Sequence, residues 1–172
     1  RQSELLGLRW ADVNLDRQQL AVRQTMQYID GGFRALPPKT RNSRRTIELS
    51  NATVALLRRH RIAQLEARLK VEAIWRDHDL VFPTADGSPQ HRQAFYRSYA
   101  RIVRGAGLSN TDFHTLRHTA ASQWIRAGID LFTVSRRLGH AKMSFTADQY
   151  GHLIEGQQRA AAEALDHLLE VR

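Results

Sequence analysis

In the extended segments between Leu20 and Leu49 apolar residues stand two apart, as at Leu20 and Val22 or Ile47 and Leu49, and in the segments after Ser50 they stand three or four apart, as at Ile62, Leu65 and Leu69. A single change of period of this kind restricts the chain to an α+β fold, mainly α-helical, in which a small sheet precedes the helices. Leu20 and Val22 share one side of an extended segment, and Asp30-Gly31-Gly32 carries turn chemistry. Residues 33–36 resume a second strand, and in a third, residues 45–49, Ile47 and Leu49 alternate with Thr46 and Glu48. The spacing predicts a three-stranded antiparallel sheet. Residues 37–44 between the second and third strands are too polar and too marked by proline to be core, so they form a basic loop.

Ahead of the sheet, residues 3–8 read as the last turns of a helix, and residues 10–14 lead toward a strand. After it, Ser50 is a good N-cap for a helix reaching about Ala73, with Ile62, Leu65 and Leu69 on one face and arginines opposite. Residues 77–89 form a loop containing Leu80-Val81-Phe82, and a helix over 90–105 ends at glycine. Three short helices follow, over 115–127, 131–138 and 144–150, closed by Gly128, Gly139 and Gly151. Ala161, Ala164, Leu165 and Leu168 stand at i, i+3, i+4 and i+7, the apolar stripe of a last amphipathic helix.

The 172 residues, 42% of them hydrophobic, suffice for one domain with its own core. There is no cysteine, which excludes a disulfide scaffold, a thiolate zinc site and a thiol nucleophile, and is compatible with an intracellular compartment. No apolar run reaches the length of a membrane span, and no secretory signal is evident. The chain starts at Arg1 in the middle of an element, as expected of a fragment of a longer protein. Lys and Arg total 26 against 17 acids, a net charge of +9. A polyanion, DNA or RNA, is the expected ligand.

The basic residues are grouped. Arg34, Lys39, Arg41, Arg44, Arg45, Arg58, Arg59 and Arg61 crowd a window whose only acid is Glu48, and Arg92, Arg97, Arg101 and Arg104 lie on the 90–105 helix. Arg41, Arg44, Arg45 and Arg92 are the expected DNA contacts. His114 and His118 are spaced i, i+4, which could hold zinc, but position 115 is Thr where a zinc protease has Glu, and Arg117 would oppose a dication. No metal and no cofactor are expected. His114 and Arg117 instead offer a proton donor and a fixed cation to one anion, while His118 reads as a packed structural histidine. Leu138-Gly139-His140 ends a helix, and Tyr150 follows ten residues later. A tyrosine hydroxyl among cations and histidines is a credible nucleophile toward phosphorus. Neither a two-metal acid cluster nor a phosphate-binding glycine loop is evident.

The run from Arg1 to Trp10 (Arg-Gln-Ser-Glu-Leu-Leu-Gly-Leu-Arg-Trp), Pro38-Lys39-Thr40, His114-Thr115-Leu116-Arg117-His118-Thr119, Leu138-Gly139-His140 and Tyr150 occur in the order found in tyrosine recombinases. Over almost its whole length the chain resembles the catalytic domain of that family, the phage integrases, and Tyr150-Gly151-His152 looks more like phage and genomic-island members than chromosome-dimer resolvases. The resemblance implies that Arg1 and Arg117 hold the scissile phosphate. It implies that Lys39 protonates the 5′-oxygen, that His114 moves a proton, that His140 donates a hydrogen bond, and that Tyr150 is the nucleophile. It further implies double-stranded DNA as partner, a monomer when free, a homotetramer on DNA and a cytoplasmic location at the nucleoid. The family's upstream core-binding domain is missing from these residues, so poor positioning of Arg1 is expected. The segment 155–170 would then pack on a neighbouring protomer or fold back on its own domain. Type IB topoisomerases share this chemistry and provide the first alternative, a non-catalytic DNA-binding module the second.

Overall fold

The computed structural model describes residues 1–40, 43–108, 111–154 and 157–169. Arg41, and the side chain of Ala161, lie outside the described residues. In chain order the elements are α1 (Gln2–Leu6), β1 (Val13–Asn14), β2 (Gln19–Val22), β3 (Thr25–Ile29), β4 (Gly32–Leu36), β5 (Arg45–Glu48), α2 (Asn51–Lys70), α3 (Arg92–Gly105), α4 (Phe113–Arg126), α5 (Leu131–Leu138), α6 (Met143–Tyr150) and α7 (Gln157–Leu169). The fold is α+β and mainly helical, as the change of period predicts. Its strands, however, form two small sheets. β2 pairs antiparallel with β1 and with β5, in the register Leu20–Ile47 and Val22–Arg45, while β3 and β4 form a separate hairpin.

The division has a local cause. Asp30 and Gly31 both have positive φ, 49° and 80°, the backbone of a tight two-residue hairpin turn. That turn pairs β4 with the strand immediately before it, so residues 33–36 are not free to join β2 and β5. Between the sheets, Gln24 Nε2 donates to the Gly7 carbonyl at 2.9 Å. A Cβ on Gly7 would stand 2.8 Å from the Met26 nitrogen, so the end of α1 lies directly on β3. Leu6, Met26 and Leu80, with Phe33 and Phe95 against them, form a small core beneath this contact.

The larger core is helical. Ala121, Ile125, Val134, Leu138 and Tyr150 interlock from α4, α5 and α6, and Trp124, Leu131, Leu153 and Ile154 close around them. Side-chain caps set the helix starts: Asp112 accepts from the Thr115 nitrogen at 2.6 Å, and Asp130 from the Thr133 nitrogen at 2.9 Å. The Asp112 cap starts α4 at Phe113, two residues earlier than the spacing predicts, which puts His114 in its first turn. Gly139, at φ 66°, ends α5 as expected.

Residues 77–89 are the loop that the sequence predicts, tied to the start of the chain: Trp10 N donates to Asp79 O and Val81 N to Leu8 O, each at 2.8 Å, and Val81 is fully buried. The helix after Ser50 differs from its sequence reading. Val54 is the buried apolar residue of α2, but toward this loop the helix turns polar side chains, because the loop's carbonyls need donors. Gln64 Nε2 donates to Leu80 O at 2.9 Å, and His60 Nε2 lies 2.6 Å from Val81 O. Ile62, Leu65 and Leu69 consequently face outward, as do Leu165, Leu168 and Leu169 on α7. Among the described residues no helix is long and apolar enough to cross a membrane.

Candidate active site

Three successive carbonyls at the C-terminal end of α5 each accept from a different arginine. Arg45 Nε donates to Arg137 O at 2.7 Å, Arg117 Nη2 donates to Leu138 O, and Arg1 Nη2 donates to Gly139 O at 2.8 Å. The last carbonyls of a helix lack intrahelical partners and carry the negative end of its dipole, so cations are stabilised there. The arginines come from before α1, from β5 and from α4, so α5 gathers residues far apart in the chain.

Glu4 ties two of them together. Arg1 Nη1 donates to Oε1 at 2.7 Å and Arg45 Nη2 to Oε2 at 2.9 Å, while Arg1 Nη1 also reaches Ser43 Oγ at 3.4 Å. Burial pushes the Glu4 carboxyl up, but the hydrogen bond from Arg45, the charge of the terminal ammonium on Arg1, the charge of Arg45 and the hydrogen bond from the Arg1 side chain outweigh it and hold it at about 2. Glu4 is thus an anion locked between two cations. Arg1 is held in place by groups of this chain, contrary to the expectation that it is poorly positioned.

Burial lowers Arg117 to about 10, and the positive charges of Arg1 and Arg45 add to the effect. Three guanidiniums against one carboxylate leave this region electrically incomplete without an anion. His140 is pushed down to about 4 by burial and then by Arg117, Arg1 and Arg45, so its imidazole is neutral at neutral pH. Its Nδ1 lies 2.7 Å from Oγ1 of the fully buried Thr146, which fixes the ring.

Tyr150 is 4% exposed, with its ring in the helical core and its hydroxyl 2.6 Å from His118 Nδ1. Burial raises the phenol above its ordinary value, and the nearby Arg117 partly opposes this. The exposed His114 ring packs edge-on against His118 at 4.6 Å.

Arg1, His114 and Arg117 line one cleft of about 410 Å³, together with Gln2, Arg92 and Tyr96. His140 opens instead on a broader groove shared with Arg44, Arg45 and Arg136. The Arg1–Gly139 hydrogen bond joins a residue of the first hollow to the chain neighbour of His140 in the second. Lys39 is exposed on the β4–β5 loop, whose Thr40 and Ser43 hydroxyls are hydrogen-bonded at 2.8 Å, so the loop is joined to Arg1 through Ser43. Arg44 and Arg92 are exposed, as a DNA contact requires. Arg45 is the correction to that set. Its side chain is 10% exposed and its three nitrogens are committed to Glu4, Ser43 O and Arg137 O, so it braces the site from inside.

Glu4, the bracing role of Arg45 and the His118–Tyr150 contact are absent from the sequence reading. The i, i+3 spacing of Arg1 and Glu4 was the only local signal for the first. Among the described residues no group of three His, Asp or Glu side chains is gathered so as to hold a metal ion.

The family model described as "Phage integrase family" matches residues 1–156. The chain is 33% identical to the "Tyrosine recombinase XerC-like" protein of Caldanaerobacter subterraneus subsp. tengcongensis, over 98% of this chain and 46% of that protein. It is 31% identical to the ICEBs1 integrase of Bacillus subtilis, again over 98% of this chain and 46% of that protein. The chain thus spans about half the length of the curated relatives it matches. Among solved structures, the Tn1549 transposon integrase in complex with circular intermediate DNA superposes with a TM-score of 0.76 at 21% identity, covering 96% of this chain and 55% of that one. The XerA recombinase superposes with a TM-score of 0.68 at 22% identity, covering 95% of this chain and 52% of that one. Arginines gathered at the end of one helix beside a buried tyrosine, on a shared fold and with a family match over nine-tenths of the residues, lead to one conclusion: the chain belongs to the phage integrase family.

Proposed function

We propose that this chain is the catalytic domain of a site-specific DNA recombinase that breaks and rejoins strands through a 3′-phosphotyrosine at Tyr150, without metal or ATP. The observation that carries the reading is the excess positive charge of Arg1, Arg45 and Arg117 over Glu4, beside Tyr150. Attack on a phosphodiester gathers negative charge on the non-bridging oxygens, and guanidiniums already held in place stabilise it without reorganisation. Arg1 and Arg117 hold the phosphate, and His114, exposed in the same cleft, handles a proton at its oxygens. His140, neutral and fixed by Thr146, donates a further hydrogen bond. The phenolic oxygen bonds to phosphorus as the bond to the 5′-oxygen breaks, and Lys39 gives that oxygen its proton from the exposed loop. The stored phosphotyrosine bond is used to join a new strand.

Duplex DNA is the partner, contacted by Arg44 and Arg92 and drawn by the net charge of +9. The free protein is a monomer and four copies assemble on DNA in the cytoplasm. The exposed Leu165, Leu168 and Leu169 of α7 support packing of that helix on a neighbouring protomer. A covalent trap on nicked duplexes from a random-sequence pool tests the reading. The wild-type protein is expected to retain a subset of duplexes through denaturing electrophoresis, and Tyr150→Phe to retain none while binding DNA as before. A Tyr150→Phe protein that still forms the adduct overturns it.

A further inference from the structure

Two donors converge on one nitrogen of His118. The Tyr150 hydroxyl lies 2.6 Å from Nδ1, and the Gln149 amide nitrogen lies 3.2 Å from the same atom. With the Gln149 amide in this orientation, Nδ1 is the acceptor and the ring proton sits on Nε2. We propose that His118 is the general base of the reaction, accepting the Tyr150 proton as the phenolic oxygen attacks phosphorus and returning it when the tyrosine departs. The inference rests on Tyr150 being the nucleophile.

The step balances. The Tyr150 O–H bond breaks and an N–H bond forms at His118 Nδ1. The oxygen's electron pair forms the new P–O bond, and the pair of the old P–O bond leaves with the 5′-oxygen. That oxygen takes its proton from a separate acid. Rejoining runs the same transfers backward, with the imidazolium protonating the phenolate.

The surroundings suit the task. The charged and titratable groups facing His118 are Asp112, His114 and Arg117 from α4 and its cap, Tyr150 from α6, and His140 from the α5–α6 junction. Burial lowers His118, His114 and Arg117 lower it further, and Asp112 opposes them weakly. The ring is therefore neutral and able to accept a proton at neutral pH. Tyr150, raised by its burial, does not ionise there unaided. His114, the other histidine of this helix, is exposed and lines the cleft with Arg1 and Arg117, which suits it to the phosphate oxygens.

The test is single-turnover cleavage of a captured duplex bearing a 5′-bridging phosphorothiolate, whose leaving group needs no proton, so that the pH profile reports the base alone. From about pH 5 to about pH 9, wild-type cleavage is expected to rise through a histidine-range ionisation and then level off. His118→Gln keeps a hydrogen-bonding amide but cannot store a proton. It is expected to be slower by about 100-fold at neutral pH, to lose that inflection, and to keep the wild-type melting temperature and DNA affinity. In His118→Ala, added imidazole is expected to restore a measurable part of the rate. Wild-type rate and profile in His118→Gln overturn the proposal, as does a His118→Ala protein that binds DNA normally but is not rescued. If either variant fails to fold, a wild-type profile without a histidine-range inflection overturns it instead. Tyr150→Phe in the same assay separates the two claims: an adduct there removes the nucleophile itself, whereas its loss beside an unaffected His118→Gln removes only the base.

Discussion

Gly139 lies directly against the guanidinium of Arg45: a Cβ on it would stand 2.8 Å from Arg45 Nη1. Arg45 cannot step aside, because Glu4, Ser43 O and Arg137 O hold it on three sides. Gly139→Ala therefore meets both this contact and the left-handed backbone at φ 66°, which alone costs about 1–2 kcal/mol. The expected result is a lower melting temperature and a loss of cleavage larger than the stability change explains, since Gly139 O also holds Arg1. A Gly139→Ala protein with wild-type melting and cleavage would contradict the packing.

Glu4 gives the site a pH signature. Its folded value, about 2, lies below the ordinary 4.5, so the ion pairs contribute stability in full above about 4.5, and that contribution is lost as the pH falls toward about 2. Glu4→Gln is expected to flatten acid unfolding across this window. At neutral pH it should destabilise by about 3–5 kcal/mol, because two arginines lose their common anion. Denaturant unfolding at a series of pH values measures both effects.

Arg44 and Arg45 are adjacent in sequence and are expected to behave differently. Arg44→Ala should weaken DNA binding and reduce the slope of log affinity against log salt by about 0.9, the value for one lost phosphate contact, while leaving the melting temperature unchanged. Arg45→Ala should lower the melting temperature, because it leaves Glu4 with one partner fewer. Equal behaviour of the two variants would contradict the internal role of Arg45.

The stripe on α7 makes a separate prediction. Leu165 and Leu168 are 56% and 76% exposed, so Leu165→Asp with Leu168→Asp should leave the melting temperature and single-site binding as they are. Pairing of two DNA sites by the complete protein should be lost, as read by gel mobility. A large drop in melting temperature would make the stripe ordinary core.

What could be read in the sequence was what is local. Asp30-Gly31 identifies its hairpin and Gly139 ends α5, because each is decided by backbone conformations that few residues tolerate. The same turn separates β3 and β4 from the other strands, but spacing does not show where that hairpin lies, which depends on Gly7 admitting β3 against α1. The outward face of α2 was hidden too: helical spacing marks an apolar stripe but not the loop carbonyls that claim the opposite side. At the candidate site, Arg1, Arg117, His140 and Tyr150 were singled out by their motifs. Glu4 and Arg45 are 41 positions apart, and His118 and Tyr150 are 32 apart. Spacing put His118 on the same face as His114, but only the packing of α6 against α5 and α4 turns Tyr150 toward it.

The central claim is that Tyr150 forms a 3′-phosphotyrosine. The most direct measurement is peptide mapping by mass spectrometry of the trapped protein–DNA adduct, with the polarity of the broken strand read from the same sample. The account predicts that the nucleotide is attached to the peptide containing Tyr150, through its oxygen, and that the other strand end carries a free 5′-hydroxyl. Attachment at another residue, or through a 5′-phosphate, would contradict it.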